Sequence, residues 1–241
     1  MTTAPPLSSA KRLRKMHDIL FRAYGPQFWW PATSRFEMIL GAYLTQNTSW
    51  KAVEVSLKNL REAGALTVEG LRSLPLKELT ELIRPSGFYT RKAPALKAFI
   101  AMLDAEFGSS LECLGATPTL NVRDRLLALP GVGPETADAI LLYALGHPVP
   151  VADEYLRRIS IRHKLIEPLP EKNRRGYDAM VQLTREAFSA DPAQKYATLF
   201  NEFHALAVAV GKAHCGKTPD CTHCPLADDL KHAARSRNTA T

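Results

Sequence analysis

The sequence predicts an all-α protein. Apolar residues recur at three- and four-residue steps along most of the chain. The connections between such runs are short, as in Arg84 to Gly87, Gly108 to Ser110 and Gly146 to Pro150. No segment shows the strict apolar/polar alternation of a half-buried strand.

The elements follow in order. After a polar, Pro-containing start and the basic cluster Lys11, Arg12, Arg14 and Lys15, a first helix belongs to residues 1–27. From Phe36, the positions Ile39, Leu40, Tyr43 and Leu44 share one helical face, and Val53, Leu57 and Leu60 repeat the pattern in the next segment. Leu71, Leu74, Leu76, Leu79, Leu82 and Ile83 read as one or two short helices ending before Pro85. Pro94 to Leu103 reads as a helix with proline in its first turn, and Val122 to Leu129 as another. A further helix is expected over Ala137 to Leu145. Cys113, alone in its region, reads as a small buried hydrophobe.

Size and charge narrow the classes. At 241 residues the chain is one large domain or two interlocked small ones. With 46% hydrophobic and 23% charged residues it can bury a core, which excludes a mainly disordered protein, and no unbroken apolar run is long enough for a spanning helix. No apolar stretch with a small-residue cleavage site follows the basic cluster, so the expected compartment is the cytoplasm. Thirty-one basic against 24 acidic residues leave +7, which makes a polyanion such as nucleic acid the first partner to consider.

The most informative stretch runs from Leu129 through Pro130, Gly131, Val132, Gly133 and Pro134 to Glu135 and Thr136. Two glycines one residue apart allow a tight hairpin, and Pro134 stands where a new helix tolerates a missing N–H. Such a helix, hairpin and helix exposes backbone N–H groups beside a helix N-terminus, where peptide dipoles favour an anion and a phosphate can come close. An ordinary turn between helices has the same local sequence, so the hairpin alone leaves both readings open. The second helix then leads through Gly146, His147, Pro148, Val149, Pro150, Val151 and Ala152 to Asp153, at the start of Glu154, Tyr155, Leu156, Arg157 and Arg158. An N-cap aspartate is the simplest reading of Asp153.

The hairpin, the Gly/Pro-rich connection and the aspartate together resemble the helix-hairpin-helix (HhH-GPD) DNA glycosylase superfamily, the endonuclease III relatives, over roughly Phe28 to Leu226. The resemblance implies two helical domains with a catalytic cleft between them. Residues 28–145 would form a six-helix-type domain ending in the hairpin. Residues 146–226, with a Cys-rich loop at 215–224, would form the second domain, completed by the N-terminal segment; residues 227–241 read as a polar tail. It implies binding of double-stranded DNA containing damaged bases, by a monomer. It makes Asp153 the catalytic carboxylate, which stabilises the positive charge that develops on deoxyribose as the N-glycosidic bond breaks, or orients the attacking water. Gly131, Val132 and Gly133 would hold phosphate through their backbone. Gln46 would fill the space left by an everted nucleotide and Phe88 would wedge into the opposite strand, with Lys92 and Arg157 at phosphates. Arg84, Arg91, Arg158 and Lys212 are further basic candidates, whereas His204, on an apolar segment, reads as a core histidine.

Two departures refine this expectation. Bifunctional relatives carry a lysine two residues after the second hairpin glycine, whose amine forms a Schiff base with the sugar; here that position is Glu135. A carboxylate cannot form an imine, so lyase activity is expected to be weak or absent. All three tryptophans, Trp29, Trp30 and Trp50, lie in two short segments, the first followed by Pro31. With Gly133 to Asp138, this set resembles the 3-methyladenine glycosylase branch more than the oxidised-pyrimidine branch. An N-alkylated purine carries a delocalised positive charge that aromatic faces hold well, so the four residues form the expected base pocket.

Cys215, Cys221 and Cys224 crowd near the C-terminus. Relatives use four such cysteines to bind a [4Fe–4S] cluster, but the fourth position is Leu230 here. A cluster with an incomplete ligand set, completed by His223, His232 or an exogenous ligand, a zinc site drawing on His214, and a metal-free loop all stay open. The leading expectation is a monofunctional base-excision-repair glycosylase acting on an N-alkylated purine. The rivals are an endonuclease III-like glycosylase and lyase acting on oxidised pyrimidines, and a non-catalytic DNA-binding module.

Overall fold

The structure, a computed structural model, describes residues 7–167 and 172–230. In chain order its helices are α1 (Ser9–Tyr24), α2 (Arg35–Leu44), α3 (Trp50–Glu62), α4 (Val68–Ser73), α5 (Leu76–Leu82), α6 (Tyr89–Phe107), α7 (Leu111–Ala116), α8 (Thr119–Leu127), α9 (Pro134–Ala139), α10 (Glu154–Arg162), α11 (Arg174–Ala187) and α12 (Tyr196–His214). Short 3₁₀ turns cover Arg84–Ser86 and Ala193–Lys195, and α9 continues as a π-helical turn over Ile140–Ala144. Among the described residues there is no strand, as the sequence predicts. No helix there is long and apolar enough to cross a membrane.

Many helices begin where a short polar side chain can take an otherwise unpaired N–H. Ser34 accepts from Glu37, Thr67 from Gly70, Ser110 from Cys113, Asp153 from Leu156 and Asn173 from Gly176. Glu37, in the first turn of α2, reaches back to the N–H of Thr33 at 2.9 Å and is held from the other side by Arg61 at 2.6 Å.

The chain divides into two compact units, Met1–Trp29 with Pro148–Thr241, and Trp30–His147. In the central unit, α2 packs on α3, α6 and the π-helical turn, and α6 also receives α4, α5 and α7. Its core holds Ile39, Leu40, Leu44, Leu60, Leu71, Leu79, Ile83, Leu96, Phe99, Leu126 and Leu141, all buried. The apolar face expected from Ile39 to Ile83 is therefore largely interior; Leu76 is exposed because it opens α5 rather than facing the core. In the unit formed by both chain ends, α1 packs against α11 and α12, and α10 lies against α12. Leu13, Met16, Leu20, Phe188, Phe200, Phe203 and Leu206 fill its centre. Arg12 of α1 binds the Asp229 carboxylate, with Nε 3.1 Å from Oδ1, and His163 joins them at 2.8 Å.

Three local expectations are corrected. Pro94 does not open its helix: α6 starts at Tyr89, after Phe88 turns the chain at φ 49°. Proline fits the helical φ, and the carbonyl that loses a donor belongs to exposed Thr90, where water can serve it. The second hairpin helix starts at Pro134 rather than Ala137, because the proline is already at its first position. Cys113 is exposed, since it sits in the capped first turn of α7 while Leu114 takes the buried side.

Candidate functional site

The hairpin joins α8 to α9 through Leu129–Gly133. Gly131 has φ 75°, a conformation that favours glycine. Gly133 is different: its φ is −93°, and a Cβ there would meet nothing within 4 Å. Among the described residues, packing does not demand glycine at 133. The Val132 N–H turns back on the Leu129 carbonyl at 3.3 Å, and the Val132 side chain is buried. Below the hairpin, Arg123 of α8 grips Asp138 of α9 through two bonds of 2.6 and 2.9 Å, in a pair almost closed to solvent. A fork-to-carboxylate pair of this kind fixes the angle at which the two helices meet.

The segment after α2 is tied to this hairpin. Gln46 donates its side-chain N–H to the Gly131 carbonyl at 3.0 Å and to Thr136 Oγ1 at 2.8 Å. Phe88 stands 57% exposed at a left-handed backbone position, which is uncommon for an aromatic residue. Lys92, expected at a phosphate, is instead 4% exposed. Its ammonium donates to the carbonyls of Leu44 at 2.8 Å and Ser86 at 2.7 Å, and burial lowers its pKa to about 8. The phosphate role is withdrawn: the charge faces inward and braces the roots of the segments that carry Gln46 and Phe88.

The tryptophans take different partners. Trp30 meets Trp50 edge-on at 5.3 Å between centroids and Tyr143 at 5.2 Å, while Trp50 Nε1 bonds Glu54 at 3.0 Å. A Cβ on Gly41 would come within 3.3 Å of the Trp30 indole, so the glycine leaves the ring its seat. Trp29 lies in the other unit, its ring under the Lys212 ammonium at 5.5 Å. Pro31 is exposed. Tyr143 did not stand out in the sequence, although its place two turns beyond the hairpin was a usable signal. Phe28 is 87% exposed at φ 49°.

Asp153 caps α10. Its Oδ1 accepts the Leu156 N–H at 2.8 Å, and the residue is 9% exposed. Burial raises its pKa above the usual carboxylate range, opposed by His204 and by the backbone N–H groups of Leu156 and Tyr155. His204 Nε2 stands 3.8 Å from Asp153 Oδ2. Nothing in the spacing of the two residues announced this pairing. Arg157 forms two bonds to Glu154, of 2.8 and 2.9 Å, and Arg158 joins the same carboxylate at 3.1 Å.

In the cysteine loop, Cys215 is buried, Cys221 exposed and Cys224 half-buried. Arg162 donates to Cys215 Sγ at 2.8 Å and to the carbonyls of Gly216 and Lys217. Leu230 supplies no ligand, and among the described residues no three His, Cys, Asp or Glu side chains are arranged to hold a metal ion. His232 lies outside the described residues. These residues do not fit a four-thiolate cluster.

Comparison with known proteins gives concordant results. Residues 40–181 match the model of the HhH-GPD superfamily base excision DNA repair proteins. A Methanocaldococcus jannaschii protein named "Putative DNA repair glycosylase MJ1434" is 38% identical over 213 residues, covering 88% of this chain and 92% of that one. Among solved structures, the 3-methyladenine DNA glycosylase MagIII of H. pylori bound to 1,N6-ethenoadenine is 31% identical with a TM-score of 0.70, covering 86% of this chain and 98% of that one. A non-covalent endonuclease III–DNA complex shares the fold, with TM-score 0.72 at 22% identity over 99% of this chain and 100% of that one.

Proposed function

Because the chain belongs to the HhH-GPD superfamily, as a DNA glycosylase of base-excision repair, we propose that it hydrolyses the N-glycosidic bond of an N-alkylated purine without cutting the strand. The observation that carries this reading is Asp153, a nearly buried carboxylate fixed at the N-terminus of α10 by its bond from Leu156. An anion held that way cannot swing or hydrate freely. It opposes the positive charge that grows on deoxyribose as the base departs.

An alkylated purine is already cationic and leaves readily, so the enzyme's contribution is to hold it and to favour the sugar cation. Trp30, Trp50 and Tyr143 supply aromatic faces suited to such a base, and the likeness to MagIII supports the same class. The hairpin backbone at Gly131 and Gly133 would meet a phosphate, and the bond from Gln46 to the Gly131 carbonyl supports a gap-filling role for Gln46 next to it. Glu135 stands where a lyase amine would be required, which supports simple hydrolysis with water as the acceptor of the sugar.

The test is a panel of duplexes bearing N-alkylpurines or oxidised pyrimidines, scored for free base and for strand breaks before and after alkali. Release of the alkylated base, with breaks only after alkali, is expected. Breaks before alkali on oxidised pyrimidines would replace this reading with a lyase of the endonuclease III type, and duplex binding with no base released would leave a binding module.

A further inference from the structure

Beside Asp153 lies a buried titratable group that the proposed base hydrolysis does not use. His204 is on α12, 7% exposed, among Phe200, Phe203, Ala205 and Leu206, which are buried as well. Its Nε2 is 3.8 Å from Asp153 Oδ2, while Asp153 Oδ1 holds the cap bond from Leu156 at 2.8 Å. The two carboxylate oxygens therefore face different environments, one backbone and one imidazole.

The spacing is set by helix packing. At Gly211, two turns along α12 from His204, a Cβ would lie 2.3 Å from Tyr155 Cδ1 and 2.6 Å from Tyr155 Cβ. Only glycine lets α12 press this closely on the first turn of α10, where Tyr155 is two residues from Asp153. The register of His204 against the carboxylate follows from that contact.

We propose that His204 is a positioning residue for Asp153: with its proton on Nε2, the imidazole steadies the Oδ2 side of the carboxylate and keeps it in the charged form that base release requires. The proposal rests on Asp153 as the catalytic carboxylate. Burial pushes the Asp153 carboxyl up and the His204 imidazole down, and their mutual attraction opposes both shifts. Among the described residues, the charges acting on Asp153 are His204 from α12 and, from α10 itself, Glu154, which works against ionisation and is held by Arg157, Arg158 and Lys172. Without His204, the carboxylate loses the imidazole whose attraction lowers its pKa and takes up a proton more readily.

Two measurements test this. Single-turnover base release is followed across pH for wild type, His204→Leu and His204→Gln. In His204→Leu the acid limb is expected to move to higher pH by about half a unit or more, which is roughly three-fold in rate on that limb, with DNA affinity unchanged. His204→Gln, which keeps an N–H donor, should recover part of the loss. Independently of whether those variants fold, the His204 imidazole is titrated by NMR in wild type and in Asp153→Asn, where its pKa is expected to fall because the attracting charge is gone. A pH-independent loss in His204→Leu, or an imidazole that titrates alike in both proteins while Asp153→Asn is inactive, overturns the positioning role alone. Wild-type base release by Asp153→Asn overturns the catalytic reading and the positioning role with it.

Discussion

Gln46 donates to the carbonyl of Gly131 at 3.0 Å, so the residue proposed to fill an emptied base position rests on the hairpin proposed to hold phosphate. If Gln46 fills that gap, its entry into DNA breaks this bond and the 2.8 Å bond to Thr136. Each is an ordinary neutral hydrogen bond, worth about 1 kcal/mol net, so the parked state is easily left. Gln46→Ala is expected to change thermal stability little. It should slow single-turnover release about ten-fold on duplex DNA, because the gap left by eversion is unfilled. On a single strand, where no stack must be opened, the deficit should vanish. An equal deficit on both substrates would refute the gap-filling role.

Lys92 yields a prediction about stability rather than phosphate. Replacing it with Met leaves the Leu44 and Ser86 carbonyls without their donor, at about 1–3 kcal/mol for each that stays dry. Its pKa is lowered to about 8, below that of a free lysine, so the folded state holds fewer protons between those values. Wild-type stability should therefore rise with pH from about 8 toward the ordinary lysine range, and Lys92→Met should lack that rise. Denaturant titrations at several pH values check it. Weaker DNA binding at unchanged net salt dependence would further separate bracing from phosphate contact.

Asp229 predicts acid sensitivity of the unit made from both chain ends. Burial pushes its carboxyl up, but His163 and Arg12 outweigh this and hold it at about 2. The resulting stability, roughly 2 kcal/mol, is present above the unfolded carboxylate pKa and is lost as pH falls toward 2. Asp229→Asn should lower the Tm at neutral pH and flatten its fall below pH ~4. A wild-type acid profile in the variant would contradict the assignment.

Fold and site were legible in the sequence to different depths. The helical class follows from apolar spacing such as Ile39, Leu40, Tyr43 and Leu44, and the hairpin from Gly131, Gly133 and Pro134, because these are local signals. Asp153 stood out only in company with the hairpin. Lys92 was not legible as a buried ammonium: it follows Arg91 on the chain and its acceptors come from Leu44 and Ser86, one of them 48 residues away. His204 was equally silent, since only the packing of α12 on α10 brings it to Asp153. Trp29 and Trp30 are neighbours in sequence, yet one meets Lys212 and the other Trp50 and Tyr143, a division that no local pattern encodes.

Arg162 braces the cysteine loop, and among the described residues no three His, Cys, Asp or Glu side chains are arranged to hold a metal ion. Dialysis against a chelator is expected to leave the Tm unchanged, whereas Arg162→Ala should lower it by about 3 °C, the loss of a kilocalorie or so of hydrogen bonding. Stoichiometric iron in the isolated protein, with a visible absorption band that fades together with stability on chelation, would contradict this.

The Asp153 carboxylate stands at the start of α10. Asp153→Asn keeps a side-chain oxygen to cap Leu156, so folding and DNA affinity should survive while the charge is removed. Single-turnover release of 3-methyladenine from duplex DNA should then fall by about 100-fold or more, at unchanged Kd for the duplex. Release at the wild-type rate by a folded, DNA-binding Asp153→Asn protein would contradict a catalytic role for Asp153.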